Sequence, residues 1–378
     1  MGPICPIRPI VLCRSPAPPY NPRVLDISLR SVTHGIIREL TVTFPRSAHT
    51  AVVGPPGAGA STLLKLITGE LRPTAGQVLL GARDVTKFKA AKRPILGRDD
   101  IPARWSVQHA LVAAVRQRSL DREDRHHEYS LAVTKWKLGA LLERRLSTLS
   151  STEATLVRLA RMELLRPAIV VVDRLLQGLN PSVVTELADE LYRTLRVLGT
   201  TVVSVPSSAL ELAMTDRIVV LDEGRLVQSG GAAEVYASPS GEAAARATGG
   251  VNVVPVEIRG NVVESTIGAW EVTDPPFSGN GVALVRPEDF AVAGPGEESD
   301  FVFGIEEAGF ADGRWLATGI LSGGLLLRVV LPPSAKIHKG RLIALRYDPS
   351  RFKLLPHEGE VRPTGVPTDV VPLLRDSR

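Results

Sequence analysis

The stretch TAVVGPPGAGASTLLKLITG, Thr50 to Gly69, decides the reading of this chain. Its opening residues, Thr50 to Val53, are β-branched or small and apolar, and a helical run from Ser61 to Gly69 closes it. Between them stand Gly54, Gly57, Ala58, Gly59 and Ala60. Glycines at a strand-to-helix turn let backbone N–H groups close around phosphate oxygens, and the helix N-terminus adds the positive end of its dipole. The candidate phosphate-binding residues are therefore Gly54, Gly57, Ala58, Gly59, Ala60, Ser61 and Thr62, with the Ser61 hydroxyl placed to ligate Mg²⁺. The phosphate-loop pattern asks for Lys directly before that hydroxyl, and this chain has Ala60. A Gly-rich turn alone is equally compatible with a tight connection. The rest of the chain has to decide.

Working outward, Val24–Leu29 and Leu40–Phe44 carry strand patterns upstream of the turn. Downstream, residues 107–117 and 128–144 have helical spacing, and Glu153–Leu165 and Pro181–Leu198 are helical. Ile169–Val172 is a short β-branched run ending in Asp173, the form of a buried parallel strand. Thr200–Val205 and Arg217–Leu221 are again strands, the latter joined to Arg225–Gln228 by an Asp-Glu-Gly turn. This alternation predicts an α/β domain with a largely parallel sheet over residues 23–245. From about residue 250 short β runs dominate: Val251–Ile258, Val282–Val285, Phe301–Glu306, Leu325–Leu331 and Leu342–Tyr347. Gly and Pro punctuate them, the signature of a small barrel or sandwich over residues 250–358. Residues 1–22, with seven prolines and no core-forming pattern, read as a disordered extension, and 359–378 as a tail.

Composition narrows the function classes. Hydrophobic residues make up 44% and charged residues 22%, which is ordinary globular usage and excludes wholesale disorder. No run of about 18 apolar residues occurs, so no spanning helix is expected, and the N-terminus lacks the continuous apolar stretch of a signal peptide. Cys5 and Cys13, the only cysteines, lie in the extension, so neither a disulfide nor a cysteine metal site holds the fold. That usage fits a reducing cytoplasm. A net charge of +5 over 378 residues is too dilute for a nucleic-acid footprint, and no nucleic-acid partner is expected.

Further segments make the reading specific. Leu149-Ser-Ser-Thr-Glu153 precedes a helix. The run RMELLRPAIVVVDRLLQGLNP, Arg161 to Pro181, carries Asp173 at a strand end and Leu179-Asn180-Pro181 before the next helix. Thr215-Asp-Arg-Ile218 and Asp222-Glu-Gly-Arg225-Leu-Val-Gln228 follow, and Val285-Arg-Pro-Glu288 lies in the β-rich part. In order and spacing these segments, from about Arg23 to Pro356, resemble the ATP-binding subunit of an ABC transporter. The likeness is greatest to the sugar-importer type (the maltose-importer kind) with a C-terminal regulatory module. The resemblance implies a P-loop NTPase (ABC ATPase) domain followed by a small all-β, OB-like (TOBE) domain. It places Leu149, Ser150, Ser151, Thr152 and Glu153 where the family has its LSGGQ signature. It makes Asp173 the Walker-B aspartate, which with Ser61 would hold Mg²⁺ if nucleotide binds. It also assigns residues of about 99–160 to the helical subdomain that docks on a permease.

The departures from that family are as systematic as the matches. The Walker-A lysine is Ala60, the catalytic glutamate after Asp173 is Arg174, and the switch histidine falls at Pro206. No histidine lies between His127 and His338 and no glutamine between Gln77 and Gln108, so the switch histidine and the Q-loop glutamine have no substitute in register. Nothing aromatic lies between Tyr20 and Phe44 except His34, so the adenine platform is missing too. Ser151 and Thr152 replace both signature glycines. Phosphoryl transfer rests on positioning and electrostatic stabilisation by such groups. A lost general base costs about 10²–10⁴ in rate and a lost charge clamp on the order of 10²–10³. These losses do not simply add, yet together they leave little chemistry.

The sequence therefore predicts a pseudo-ATPase with no intact catalytic residue, binding ATP and Mg²⁺ weakly or not at all. The resemblance implies a cytoplasmic protein, peripheral on the inner face of the plasma membrane. Its implied partners are integral-membrane permease subunits, and its dimer is either homodimeric or formed with a competent ABC ATPase. A stand-alone regulatory protein working through residues 250–356, and a slow but genuine ATPase, stay open as alternatives. Three features take ordinary readings. The run Asp121–Glu128, with His126 and His127, is a solvated charge run before a helix. Asp99-Asp100 is an acidic loop pair. Lys65 lies one helical turn too far on to stand in for the missing lysine.

Overall fold

The computed structural model describes residues 25–96, 101–294, 296–311 and 313–356. The N-terminal extension, the pair Asp99-Asp100 and the C-terminal tail lie outside the described residues. The chain divides into two compact units between Leu226 and Val227.

The first unit opens with strands β1 (Ile27–His34) and β2 (Ile37–Phe44), then β3 (His49–Val53) and helix α1 (Ala60–Thr68). Next come β4 (Ala75–Leu80), β5 (Arg83–Asp84), β6 (Ile95–Leu96), α2 (Val107–Val115), α3 (Arg122–Lys135) and α4 (Ser151–Leu165). The remaining elements are β7 (Ile169–Asp173), α5 (Pro181–Val197), β8 (Thr201–Val205), α6 (Ala209–Ala213), β9 (Arg217–Asp222) and β10 (Arg225–Gly231), the last of which carries the chain into the second unit.

Two sheets result. The parallel one expected from the sequence runs β10-β9-β3-β8-β7-β6, with β3–β8, β3–β9, β7–β8 and β6–β7 all parallel. A second sheet, β2-β1-β4-β5, is antiparallel and was not expected from the α/β alternation. Side chains alternate across a strand, and here both faces of the parallel sheet are covered. Val171, Val203, Val219 and Leu221 point into one core with β1, β2 and α1, including Ile27, Phe44, Leu63 and Ile67. Val170, Val172 and Val202 point into the other, with α2, α4 and α5. That double coverage is why these strands read as unbroken apolar runs.

One helix differs from expectation. The spacing predicts helix over 128–144, whereas α3 begins at Arg122 and Trp136 closes it. Asp121 caps it, accepting from the Asp124 N–H at 2.7 Å, so the charge run forms its first two turns rather than a lead-in. Short polar caps outcompete periodicity where a helix has little apolar face.

The second unit begins with α7 (Ala232–Ala237) and α8 (Glu242–Thr248) and continues in strands. These are β11 (Asn252–Arg259), β12 (Val262–Ser265), β13 (Gly268–Glu271), β14 (Gly279–Val285), β15 (Phe290–Val292), β16 (Phe301–Gly304) and β17 (Glu307–Ala311), then β18 (Arg314–Ile320), β19 (Leu326–Leu331), β20 (Leu342–Tyr347) and β21 (Lys353–Pro356). They form three sheets, β13-β12-β11-β14-β21, β15-β20-β16 and β17-β18-β19, around Val254, Ile258, Phe303, Leu327 and Leu345. The unit is all-β beyond residue 251, as the sequence predicts, and consistent with an OB-like domain.

Candidate functional site

Residues 54–59 connect the end of β3 to α1. Gly59 caps α1 at φ +101°, and a Cβ there would lie 2.7 Å from Ile37 Cδ1, so this position admits only glycine without rearrangement. The first bond of the turn is Leu63 N–H to the Gly59 carbonyl at 2.8 Å. The amides of Ala60, Ser61 and Thr62 precede it and have no intrahelical acceptor, which makes this helix start a donor cluster for an anion. The loop is held from two sides. Ala58 N–H donates to the Pro55 carbonyl at 3.0 Å, and the Ala58 carbonyl accepts from Gly224 N–H at 3.1 Å. The Gly224 carbonyl in turn accepts from Arg38 N–H at 3.0 Å. The Asp-Glu-Gly turn of the sequence thus closes over the loop, where a Cβ on Gly224 would collide with the Ile36 carbonyl at 1.8 Å. Ala60 packs against the apolar core beneath. Its methyl carries no charge toward the phosphate position.

Parallel register brings the other candidates to the same sheet edge. Asp173 ends β7 opposite Val205 at the end of β8, and Pro206 is the next residue. Arg174 N–H donates to the Val205 carbonyl at 2.9 Å, so Arg174 and Pro206 leave neighbouring strand ends together. Arg174 takes a left-handed backbone at φ +47°, in a turn closed by Gln177 N–H to its carbonyl at 3.1 Å. A cleft of about 540 Å³ lies here, outside the carboxyl ends of the strands, where open α/β sheets bind ligands. Ser61, Asp173 and Arg174 line it, along with Lys65, Arg158 and Glu70.

Sequence reasoning missed part of this wall. Arg158 comes from the exposed side of α4, and only the fold brings it to the loop. Lys65, one turn beyond Ser61 and so not in the place of the missing lysine, lies on the same face of α1 and shares the cleft. Glu70 is the one lining glutamate. It accepts from Thr68 Oγ1 at 3.2 Å and lies past the C-terminal end of α1, with about 10 Å of helix between Ser61 and Thr68. It is too far along to activate water at the phosphate loop. Ser61 and Asp173 are oxygen donors of the type Mg²⁺ takes, but three cations share the cleft with them. Such a donor set does not suit a divalent cation.

A buried arginine that no motif flags braces the helix. Arg93 is 5% exposed, and its Nη1 donates to the Leu66 and Ile67 carbonyls at 2.8 and 2.6 Å. Burial pushes its pKa down while Asp84 pulls it up. The guanidinium sits at the negative end of the α1 dipole and satisfies carbonyls that the helix leaves open.

The signature-like residues are elsewhere. Ser150 caps α4 in a reciprocal box: Ser150 N–H donates to Glu153 Oε2 at 2.7 Å and Glu153 N–H to Ser150 Oγ at 3.3 Å. Arg144 Nη1 holds the other oxygen of Glu153 at 2.7 Å. The Ser150 backbone bond leads the interactions that keep the Glu153 carboxyl below its ordinary range. Leu149 packs into the helical core, and Ser151 and Thr152 occupy the first turn. None of these five residues lines the Ser61 cleft.

His49 is the buried histidine of this unit, and it lies at the start of β3, the far end from the phosphate loop. It stacks on Tyr192 with ring centroids 4.2 Å apart and pairs with Ser204 Oγ at 2.8 Å. Burial lowers its pKa to about 4 against an opposing pull from Asp216. It is a core residue, out of reach of any phosphate in the cleft.

Known proteins resemble this chain along most of its length. A family model described as ABC transporter matches residues 37–176. The molybdate/tungstate import ATP-binding protein WtpC of Pyrococcus abyssi is 26% identical over 334 residues, covering 84% of this chain and 95% of its own length. The Fe(3+) ions import ATP-binding protein FbpC of Streptomyces avermitilis is 32% identical over 247 residues, 64% of this chain and 71% of its own. Among solved structures, an ATP-binding subunit of an ABC transporter aligns with a TM-score of 0.50 at 19% identity, over 56% of this chain and 91% of its own. That last likeness speaks to the fold.

Proposed function

From the membership of this chain in the ATP-binding subunits of ABC importers, we propose that it works on a permease without hydrolysing ATP itself. The observation that carries the reading is the composition of the cleft beside the phosphate loop. The loop keeps its amides, while the position that should accept a proton from water holds a guanidinium, which cannot. Ala60 supplies no clamp and Pro206 no side-chain donor. Asp173 remains, but as an aspartate one residue before the catalytic position.

The proposed subunit docks through the helical region of about 99–160 and carries the β unit, with Val285–Glu288, as a regulatory module of the sugar-importer type. No helix among the described residues is long and apolar enough to cross a membrane, so attachment would run through the permease. Beside a competent ATPase, one composite site would pair Ala60, Arg174 and Pro206 with a normal signature. The other would pair complete partner chemistry with Leu149–Glu153 of this chain. The relatives' names give different cargoes, molybdate or tungstate and Fe(3+), so the cargo is not carried over.

The test is gentle affinity capture of the full chain from its host membrane fraction. The expected companions are a permease and a second, motif-complete ATP-binding subunit. Capture of a soluble enzyme or regulator with neither of them would overturn the reading in favour of a stand-alone regulatory protein.

A further inference from the structure

We propose that the Ser61 cleft takes a metal-free polyphosphate, held by the α1 amides together with Arg174, Arg158 and Lys65. In this arrangement the Arg174 guanidinium stands in for the divalent cation. The inference rests on the reading of the cleft as a non-hydrolysing phosphate site and goes beyond it by naming the form of the ligand.

Three observations converge. Lys65, Arg158 and Arg174 come from three different elements, α1, α4 and the turn after β7, and all line one cleft. All three are exposed, and none has a carboxylate or other side-chain acceptor among the described residues. Some cations of this unit are paired, Lys135 with Glu163 and Glu190, Arg144 with Glu153, Arg166 with Glu128 and Arg196 with Asp216. Others, such as Arg38, Arg46 and Arg104, stand unpaired on the surface among the described residues. What sets Lys65, Arg158 and Arg174 apart is that they share one cleft. Three cations against the two carboxylates Asp173 and Glu70 leave the cleft, which begins at Ser61 of the α1 start, with an excess positive charge that an anion would balance.

The spacing suits more than one phosphate. Lys65 lies one turn beyond Ser61, about 6 Å along the axis, and Arg174 opens from the facing strand end. A guanidinium binds phosphate oxygens as a bidentate planar fork. Arg174 follows Asp173 directly and has a fixed backbone, tied to Val205. A positive charge held next in the chain to Asp173 opposes the approach of Mg²⁺ to that carboxylate. The same charge then does for the phosphates what a bound metal would have done.

The experiment is titration calorimetry on the full chain with ATP and, separately, inorganic pyrophosphate, each in EDTA and in excess Mg²⁺. Binding in EDTA is expected, with Mg²⁺ tightening it by no more than about twofold. Arg174→Ala should weaken binding in EDTA at least about tenfold, the size of one lost charge-assisted bond. Arg174→Glu, which removes the cation and restores a second carboxylate, should bind only when Mg²⁺ is present. Binding of both probes assigns a free polyphosphate as sufficient ligand, and binding of ATP alone assigns the nucleotide. Either supports the metal-free site. Tenfold or greater tightening by Mg²⁺, indifference to Arg174→Ala, or no binding of either probe would overturn it. Phosphate release, followed in the same samples, separates this failure from that of the parent reading. Hydrolysis would sink the non-hydrolysing subunit, whereas Mg²⁺-dependent binding without hydrolysis would sink only the metal-free site.

Discussion

At the scale of single residues, the phosphate loop holds its backbone shape without a charged side chain directly before Ser61. Gly59 takes the left-handed cap that lets the loop pass Ile37, while its neighbour Ala60 offers a methyl where a lysine would offer a charge. Returning the lysine alone is expected to tighten ATP binding without starting turnover, because Arg174 still cannot take a proton from water. Equilibrium binding and phosphate release on Ala60→Lys check this. Catalysis by the single variant at the usual enzyme rate of roughly 1 s⁻¹ would refute it. His49 gives a separate prediction. Its folded pKa of about 4 lies below the ordinary 6.5, so between those values the unfolded chain binds the extra proton. The stability that neutral His49 contributes is complete above pH 6.5 and is lost as pH falls toward 4. The first unit should lose about 2 kcal/mol between pH 7 and pH 5 from this group. Denaturant melts of the wild type and of His49→Phe measure it. An equal pH slope in both proteins would rule it out.

Among elements, legibility followed how much of the signal is local. The β3–turn–α1 unit, β7 ending in Asp173 and the β9–β10 turn were readable because period, breaker and charge lie within a few residues. The α3 boundary was not, since Asp121 capping against Asp124 begins a helix whose apolar face is too thin to show a period. The antiparallel sheet was missed because β1 and β4 are joined only by long-range pairing, Ile27 to Leu80 and Leu29 to Val78. Arg158 and Arg93 were invisible for the same reason: each acts on an element far from it in sequence. Arg93 grips the end of α1 from 26 and 27 positions away. Arg93→Met is expected to destabilise the first unit by on the order of 2–3 kcal/mol, from two buried carbonyls left without a charged donor. Thermal or urea unfolding shows the loss, and an unchanged midpoint would mean that the carbonyls find other donors.

For the whole molecule, the division at Leu226/Val227 raises the question of what the second unit needs in order to fold. Arg286, within the Val285–Glu288 motif, is buried and stacks on Tyr236 at 4.1 Å. Its guanidinium donates to the carbonyls of Ala245, Gly250 and Tyr236 and to Thr248 Oγ1, at 2.9 to 3.1 Å. A fragment starting at Ala232 should therefore melt cooperatively. One starting at Gly249 loses three of those four acceptors and should be less stable by several kcal/mol, at about 1–3 kcal/mol for each unmade buried bond. Equal melting of the two fragments would remove Arg286 as the clasp. Turnover by the intact chain separates a pseudo-ATPase from an enzyme. Steady-state phosphate release by the purified full-length protein at saturating Mg-ATP, over protein concentrations that span monomer and dimer, measures it. Release is expected to match the protein-free control at every concentration, and release rising with concentration to about 1 s⁻¹ per chain or more would overturn the non-hydrolysing subunit.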